Sequence, residues 1–322
     1  MILQRFKRGV GGFRSRVRSR PRHVVLMYHR VAELSVDPWS LAVRASRFAD
    51  QIKALSAVWR VVRLRELPDA IRSWTPAEKP LAVVTFDDGY SDVYRTAHPI
   101  LQKNKCPATV FLTTGALDSN REFWWDALSR IFLETITLPP VLSLVVAGQE
   151  KRWTIPFTHK DRSQVFREVW STFRRLGDGE RKALLEELFG WSRLHPTGQV
   201  EDRPMTSSEV IALTEGGLIE IGAHTVTHPL MTTLSPEEKL RELYDSRSHC
   251  ESLCGGGVDH FSYPHGVYDQ KSVDAVQALG FSVACTSRPG NVKKGTNLME
   301  LPRIHVLDWD RENFVKELSV VR

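Results

Sequence analysis

Six short, mostly apolar runs, each ending at a polar or glycine-bearing turn, constrain this chain more than any other feature. They lie at 23–28 (HVVLMY), 81–86 (LAVVTF), 108–112 (ATVFL), 218–221 (LIEI), 258–263 and 281–285. Runs of this length that lack a polar stripe read as strands covered on both faces, which is how parallel sheets are built. Helical sequence separates them, as at 235–253, where Ser235 stands as N-cap before Pro236, Glu237 and Glu238. Strand and helix therefore alternate, the pattern of an α/β sheet or barrel.

One stretch breaks that alternation. Residues 120–205 hold five of the nine tryptophans (Trp124, Trp125, Trp153, Trp170 and Trp191) in mainly helical, charged sequence. Within it, 166–189 reads as one or two amphipathic helices interrupted at Gly177 and Gly179. This is an insertion in a regular βα chain. Its aromatic residues suit either packing or a cap that stacks on sugar rings or lipid.

The net charge of +6 is unevenly placed. Residues 1–22 carry eight basic side chains and no acidic ones; removing these eight from 44 Lys and Arg leaves 36 against 38 Asp and Glu, a sum of −2 for the rest. Basicity thus belongs to a leader. Ile2, Leu3, Phe6, Val10, Phe13 and Val17 recur at helical spacing among its arginines, which suits a helix lying on anionic lipid, although Gly9, Gly11 and Gly12 weaken it. The alternatives are a flexible basic arm, an organelle transit peptide or a nucleic-acid arm. The near-neutral body carries no nucleic-acid motif, so no nucleic-acid partner is expected. No secretory signal is evident, and four cysteines (Cys106, Cys250, Cys254, Cys285) form no disulfide framework. The expected location is the cytoplasm, including the inner face of the membrane, and the expected state is a monomer.

Chemistry-bearing residues gather where the strands run out, the place α/β folds use for ligands. Asp87 and Asp88 follow the second run and precede Gly89. Adjacent side chains on a strand end diverge, so one carboxylate can hold a metal while the other faces substrate. His224 and His228 follow the fourth run; an i, i+4 pair on one face of a helical turn can reach one metal. With Asp88 they make an Asp-His-His set with room for water and substrate, the composition of a catalytic metal site. Further motifs are FSYPHG (261–266), LPRIHV (301–306) and LMYHRV (26–31).

Taken in order, TFDDG (85–89), HTVTH (224–228), FSYPHG and LPRIHV resemble the polysaccharide deacetylases, the NodB-homology group or carbohydrate esterase family 4. LMYHRV and EIGAHTVTHP (220–229) are similar to its exopolysaccharide poly-N-acetylglucosamine deacetylase branch. The resemblance covers roughly 23–119 and 206–322. It implies a distorted (β/α) barrel of seven or eight strands at 23–322, interrupted by the insertion. It also implies that Asp88, His224 and His228 are metal ligands and that Asp87 is the base taking a proton from water. Tyr263 and Pro264 match the groove loop whose backbone helps hold the acetyl oxygen. His265 stands where the family usually has an aromatic, either lining the acyl pocket or replacing that ring. Ser262 occupies the place of the arginine that usually tethers the catalytic aspartate, and Arg303 is expected to supply that tether. The general acid is His29 or His305, with His29 favoured by the branch pattern; either could instead orient a ligand.

The expected function is metal-dependent removal of an N-acetyl or N-formyl group from an amino sugar of a bacterial surface glycan or its lipid-linked precursor. Zn is the default metal, with Co, Ni or Mn as alternatives. The competing reading is a carbohydrate-binding protein of the same fold without catalysis.

Overall fold

Complete burial explains the first strands. In the computed structural model, which describes residues 22–197 and 202–320, every residue of β1 (Val24–Tyr28) is buried. β2 (Arg60–Val61) is a short edge piece paired to β3 (Leu81–Phe86), and β3 and β4 (Ala108–Leu112) are again wholly buried. β5 (Val141–Val146) and β6 (Gln149–Thr154) are different: they form a separate antiparallel pair, and β5 alternates exposed and buried residues. β7 (Ile219–Ala223), β8 (His260–Ser262), β9 (Val283–Cys285) and β10 (Ile304–His305) complete the set. Apart from the β5–β6 pair, all pairings are parallel, in the order β10-β1-β3-β4-β7-β8-β9, with β2 beside β3. One parallel bridge, Cys285 to Leu301, ties the end of β9 to the segment entering β10. The sheet therefore curls into the expected distorted barrel.

Alternation along the strands sorts their side chains between two cores. Leu26, Tyr28, Val84 and Phe86 pack outward with Phe48, Ile52 and Leu55 of the helix Ala45–Val58. Val25, Val83, Phe111, Val283 and Cys285 form an inner cluster, closed off by Leu64, Leu67 and Ile71. Asp87 continues the parity of Val83 and Thr85, which directs it toward the barrel interior.

The helix predicted at 235–253 spans Pro236–Cys254, and the Ser235 hydroxyl accepts from the Glu238 N–H while Glu238 answers with a carboxylate bond to the Ser235 N–H. In the insertion, the interrupted helical stretch is two helices, Ser163–Phe173 and Asp178–Ser192. Gly177 caps the second and Gly179 lies inside it. The β5–β6 hairpin was not anticipated; Ala147 and Gly148 both take positive φ (49° and 76°), as a tight two-residue hairpin turn requires. The four cysteines are free, three of them buried. No helix among the described residues is long and apolar enough to cross a membrane. The leader expected at 1–22 lies outside the described residues except for Arg22.

Candidate active site

Five strands deliver site residues at their C-terminal ends: β1 leads to His29, β3 to Asp87 and Asp88, β7 to His224, β8 to Tyr263, and β10 ends at His305. These residues line a cavity of about 240 Å³. Its backbone is unusually strained. Asp88, Thr225, His228 and His265 all adopt left-handed φ, between 53° and 72°. Such positions cost of order 1–3 kcal/mol each and persist where the surroundings over-determine them. Gly89 (φ 88°) turns the chain directly after Asp88, and a Cβ there would meet Leu112 Cδ2 at 2.9 Å.

Asp88 Oδ1 lies 3.4 Å from His224 Nε2 and 3.5 Å from His228 Nε2, and these three donor atoms fall within 4.8 Å of one another. The His224 Nδ1–H is committed to the Ser262 carbonyl at 2.7 Å. A neutral His224 therefore presents a bare lone pair toward a carboxylate oxygen, two acceptors face to face. Burial opposes a charge on His224, but its hydrogen bond to Asp88 and the charges of Asp87 and Asp88 raise it above the ordinary histidine range, whereas burial above all holds His228 well below that range. A divalent cation satisfies both imidazoles and the carboxylate together; the residues present fit one.

The histidine pair is not on a helical turn, as its spacing suggested. Residues 224–228 form a bent loop in which Thr225 and His228 take positive φ, and this curls His228 back over His224, with ring centroids 4.9 Å apart. Two residues that sequence reasoning missed hold the loop. Glu242, from the helix after it, accepts the N–H groups of Val226 (2.7 Å) and Thr227 (3.0 Å) and the Thr227 hydroxyl (2.6 Å). Arg181, from the insertion, donates to the Thr227 carbonyl at 2.9 Å. No local motif marks Glu242; its distance of 16 residues from Val226 is bridged only by the fold.

Asp87 is gripped from below. Arg303 donates through both terminal nitrogens, to Oδ1 at 2.7 Å and Oδ2 at 2.6 Å, and also to Thr85 Oγ1, Ser262 Oγ and the Thr286 carbonyl. Both side chains are almost fully buried. Burial pushes the Asp87 carboxyl upward, but the Arg303 charge and hydrogen bonds overcome this and hold it well below the usual range. Ser262, standing where an arginine was expected, bonds this same pair.

His29 and His305 face each other edge to face, centroids 5.6 Å apart. Burial and the neighbouring His29 lower His305 to about 4. His265 lies 4.3 Å from His228; burial and Arg174 bring it down to about 3, so it forms a neutral wall. Tyr263 is buried, its hydroxyl on the Met299 carbonyl and its N–H on the Cys285 carbonyl. With Pro264 lacking an N–H, the first backbone donor left in this loop is that of His265. The insertion is part of the site: Trp125 packs 4.7 Å from His228, and Trp170 and Arg174 join Trp39 in the cavity wall.

A family model described as polysaccharide deacetylase matches residues 75–138 and 194–284, leaving the hairpin and the two inserted helices unmatched. The chain belongs to the polysaccharide deacetylase family. Relatives within this family are distant. The Bacillus subtilis (strain 168) protein YxkH, described as a polysaccharide deacetylase, is 19% identical over 88% of this chain and 70% of its own length. The poly-beta-1,6-N-acetyl-D-glucosamine N-deacetylase of Escherichia coli (strain K12) is 31% identical over 86 residues, which is 26% of this chain and 13% of that enzyme. The Streptococcus pyogenes deacetylase PplD, solved with acetate, superposes with a TM-score of 0.60 at 18% identity, covering 92% of this chain and 99% of its own. The chain therefore shares the curled parallel half-barrel of that solved deacetylase, and its family supports hydrolysis of an acylated carbohydrate as the chemistry class of the site.

Proposed function

We propose that the protein is a metal-dependent hydrolase removing an N-acetyl or N-formyl group from an amino sugar of a bacterial surface glycan or its lipid-linked precursor. The observation that carries this reading is the convergence of Asp88, His224 and His228 beside the arginine-held Asp87 in one cavity. A divalent cation held by the three ligands supplies Lewis acidity, polarising the acyl carbonyl and acidifying water. Two imidazoles and a carboxylate suit Zn first, then Co, Ni or Mn.

Asp87 stays ionised because Arg303 stabilises its charge, and it accepts the proton of the attacking water. Arg303 fixes the direction of the carboxylate without touching substrate. The leaving amine must then gain a proton. His305, lowered to about 4, is neutral near pH 7 and a poor donor there, so His29 is assigned as the general acid and His305 as its packing partner. His265 lines the acyl pocket, and its loop N–H is the donor available to the acyl oxygen. Trp39, Trp125 and Trp170 give flat walls suited to sugar faces. The substrate in the name of the E. coli relative supports an N-acetylated glucosamine as the starting candidate. The basic leader favours work at the inner membrane face.

The test is acetate release from an N-acetylated β-1,6-glucosamine oligosaccharide. Wild-type turnover should stop with chelator and return with zinc, and Asp88→Asn should lack it. Full turnover by Asp88→Asn in the presence of chelator would refute the reading.

A further inference from the structure

The wall contributed by the insertion has a chemistry that amide hydrolysis alone does not explain. Arg174 follows the helix Ser163–Phe173 and lines the active-site cavity, with its guanidinium 5.1 Å from the Trp170 ring centre. Among the described residues no carboxylate lies within ion-pair distance of it. The other guanidinium of the cavity, Arg303, is fully engaged by Asp87, Thr85, Ser262 and the Thr286 carbonyl. Arg174 is partly buried, and burial together with the neighbouring Arg175 works against its charge. An unpaired, half-desolvated cation beside a like charge is a cost that the free protein bears.

Two further donors stand beside it. Trp39 and Trp170 pack with ring centres 4.5 Å apart, both line the cavity, and the indole N–H of each is buried without an acceptor. Unmet buried donors of this kind are rare in folded proteins. This corner thus presents a guanidinium with no carboxylate to meet it, walled by two indoles whose N–H groups lack an acceptor. It adjoins the reacting centre, since Trp170 lies 5.9 Å from His265, which lies 4.3 Å from His228.

We infer that Arg174, Trp39 and Trp170 form an anion subsite, and that the substrate is an N-acylated sugar bearing an anionic oxygen substituent. This rests on the deacylase reading above and narrows its substrate class. A glycosyl phosphate and a sugar carboxylate both have the required chemistry: several acceptor oxygens and a negative charge close to the acylated ring. The bound anion supplies acceptors to the Arg174 guanidinium and offsets its charge, while the Trp39 and Trp170 rings wall the subsite. Lying outside the matched family segments, Arg174 tunes specificity and leaves the hydrolytic steps to Asp87 and the metal ligands.

The experiment compares acetate release by the zinc-loaded full chain from three probes: methyl N-acetylglucosaminide, N-acetylglucosamine 1-phosphate and N-acetylglucosaminuronic acid. An anionic probe should exceed the neutral glycoside in kcat/KM by about ten- to a hundredfold, the range of a hydrogen-bonded charge, and the advantage should shrink with added salt. Arg174→Gln should lower the anionic-to-neutral ratio by about tenfold or more, with part of it kept by Arg174→Lys. Preference for the phosphate assigns a glycosyl phosphate, and preference for the uronate assigns a carboxylate. Equal kcat/KM for all three, or a ratio untouched by Arg174→Gln, overturns the subsite and leaves deacylation standing. If none releases acetate, the deacylase reading rests on the oligosaccharide test above, and the subsite is judged by quenching of tryptophan fluorescence. Saturable quenching by a charged probe that weakens in Arg174→Gln supports it, and identical titrations with charged and neutral probes overturn it.

Discussion

Arg303 and Asp87, 216 positions apart in sequence, form a two-pronged ion pair inside the barrel, with both oxygens of the carboxylate taken by one guanidinium. Arg303 lies over the ring of Phe111, its Cζ 5.7 Å from the centroid, so the pair rests on the apolar inner core while Asp87 reaches the cavity. This places a carboxylate held well below the usual range beside the imidazoles of His224 and His29.

Removing the guanidinium strands a buried charge. Arg303→Ala should lose about 3–5 kcal/mol of stability at neutral pH, read from denaturant melts. The sign with pH follows from the depressed Asp87 pKa. In the wild type the contribution of the pair is fully present above the unfolded value of about 4 and disappears as pH falls through the folded one. In the variant burial alone acts, raising the pKa, so its penalty is largest where Asp87 is ionised. The stability gap should therefore be widest near neutrality and close on acidification below about pH 4. A gap independent of pH would show that Asp87 is not the group affected.

Glu242 touches neither metal ligand, yet it holds the loop between them by three hydrogen bonds. Glu242→Gln should weaken zinc affinity by about 10- to 100-fold, measured by competition with a chromophoric chelator. Unchanged affinity would mean that Thr225, whose hydroxyl accepts the His228 N–H at 3.1 Å, is enough to shape the loop.

The facing histidines should separate by kinetics. His29→Gln should lower kcat by about 10²–10⁴-fold, the usual worth of a positioned acid. His305→Gln should cost less, because its imidazole is already neutral above about pH 5, one unit over its value of about 4. Equal losses would reassign the acid to the pair as a unit.

Gly89→Ala should be destabilising by about 1–3 kcal/mol and should weaken metal binding, because the new methyl meets Leu112 Cδ2 in a left-handed turn next to Asp88. Thermal melts with and without zinc would separate the two effects. A melt unaltered in both conditions would show that the turn relaxes.

The strands of the sheet were legible in the sequence because burial on both faces leaves unbroken apolar runs such as VVLMY and LAVVTF. β2 and β10 were not, since two residues carry no periodicity. The β5–β6 hairpin was hidden as well: β6 is mostly exposed and polar, so it lacks the alternation that β5 shows. Asp88, His224 and His228 were found as a set by residue type and order. Their loop was misread as helical, because an i, i+4 spacing is equally compatible with a bend that uses left-handed Thr225 and His228.

By itself the sequence determined the element alternation, the identities of the donor set and the charge asymmetry between leader and body, all of which are local or compositional properties. The tether of Asp87 by Arg303 was expected from the family resemblance, and the fold supplies its two-pronged geometry. Tertiary structure alone decided that Glu242 and Arg181 brace the ligand loop, and that the inserted Trp170 and Arg174 form a wall of the cavity. These are contacts between residues tens to hundreds of positions apart. They arise when a curled parallel sheet brings separate strand ends to one rim, and nothing in the neighbouring residues of the chain encodes them.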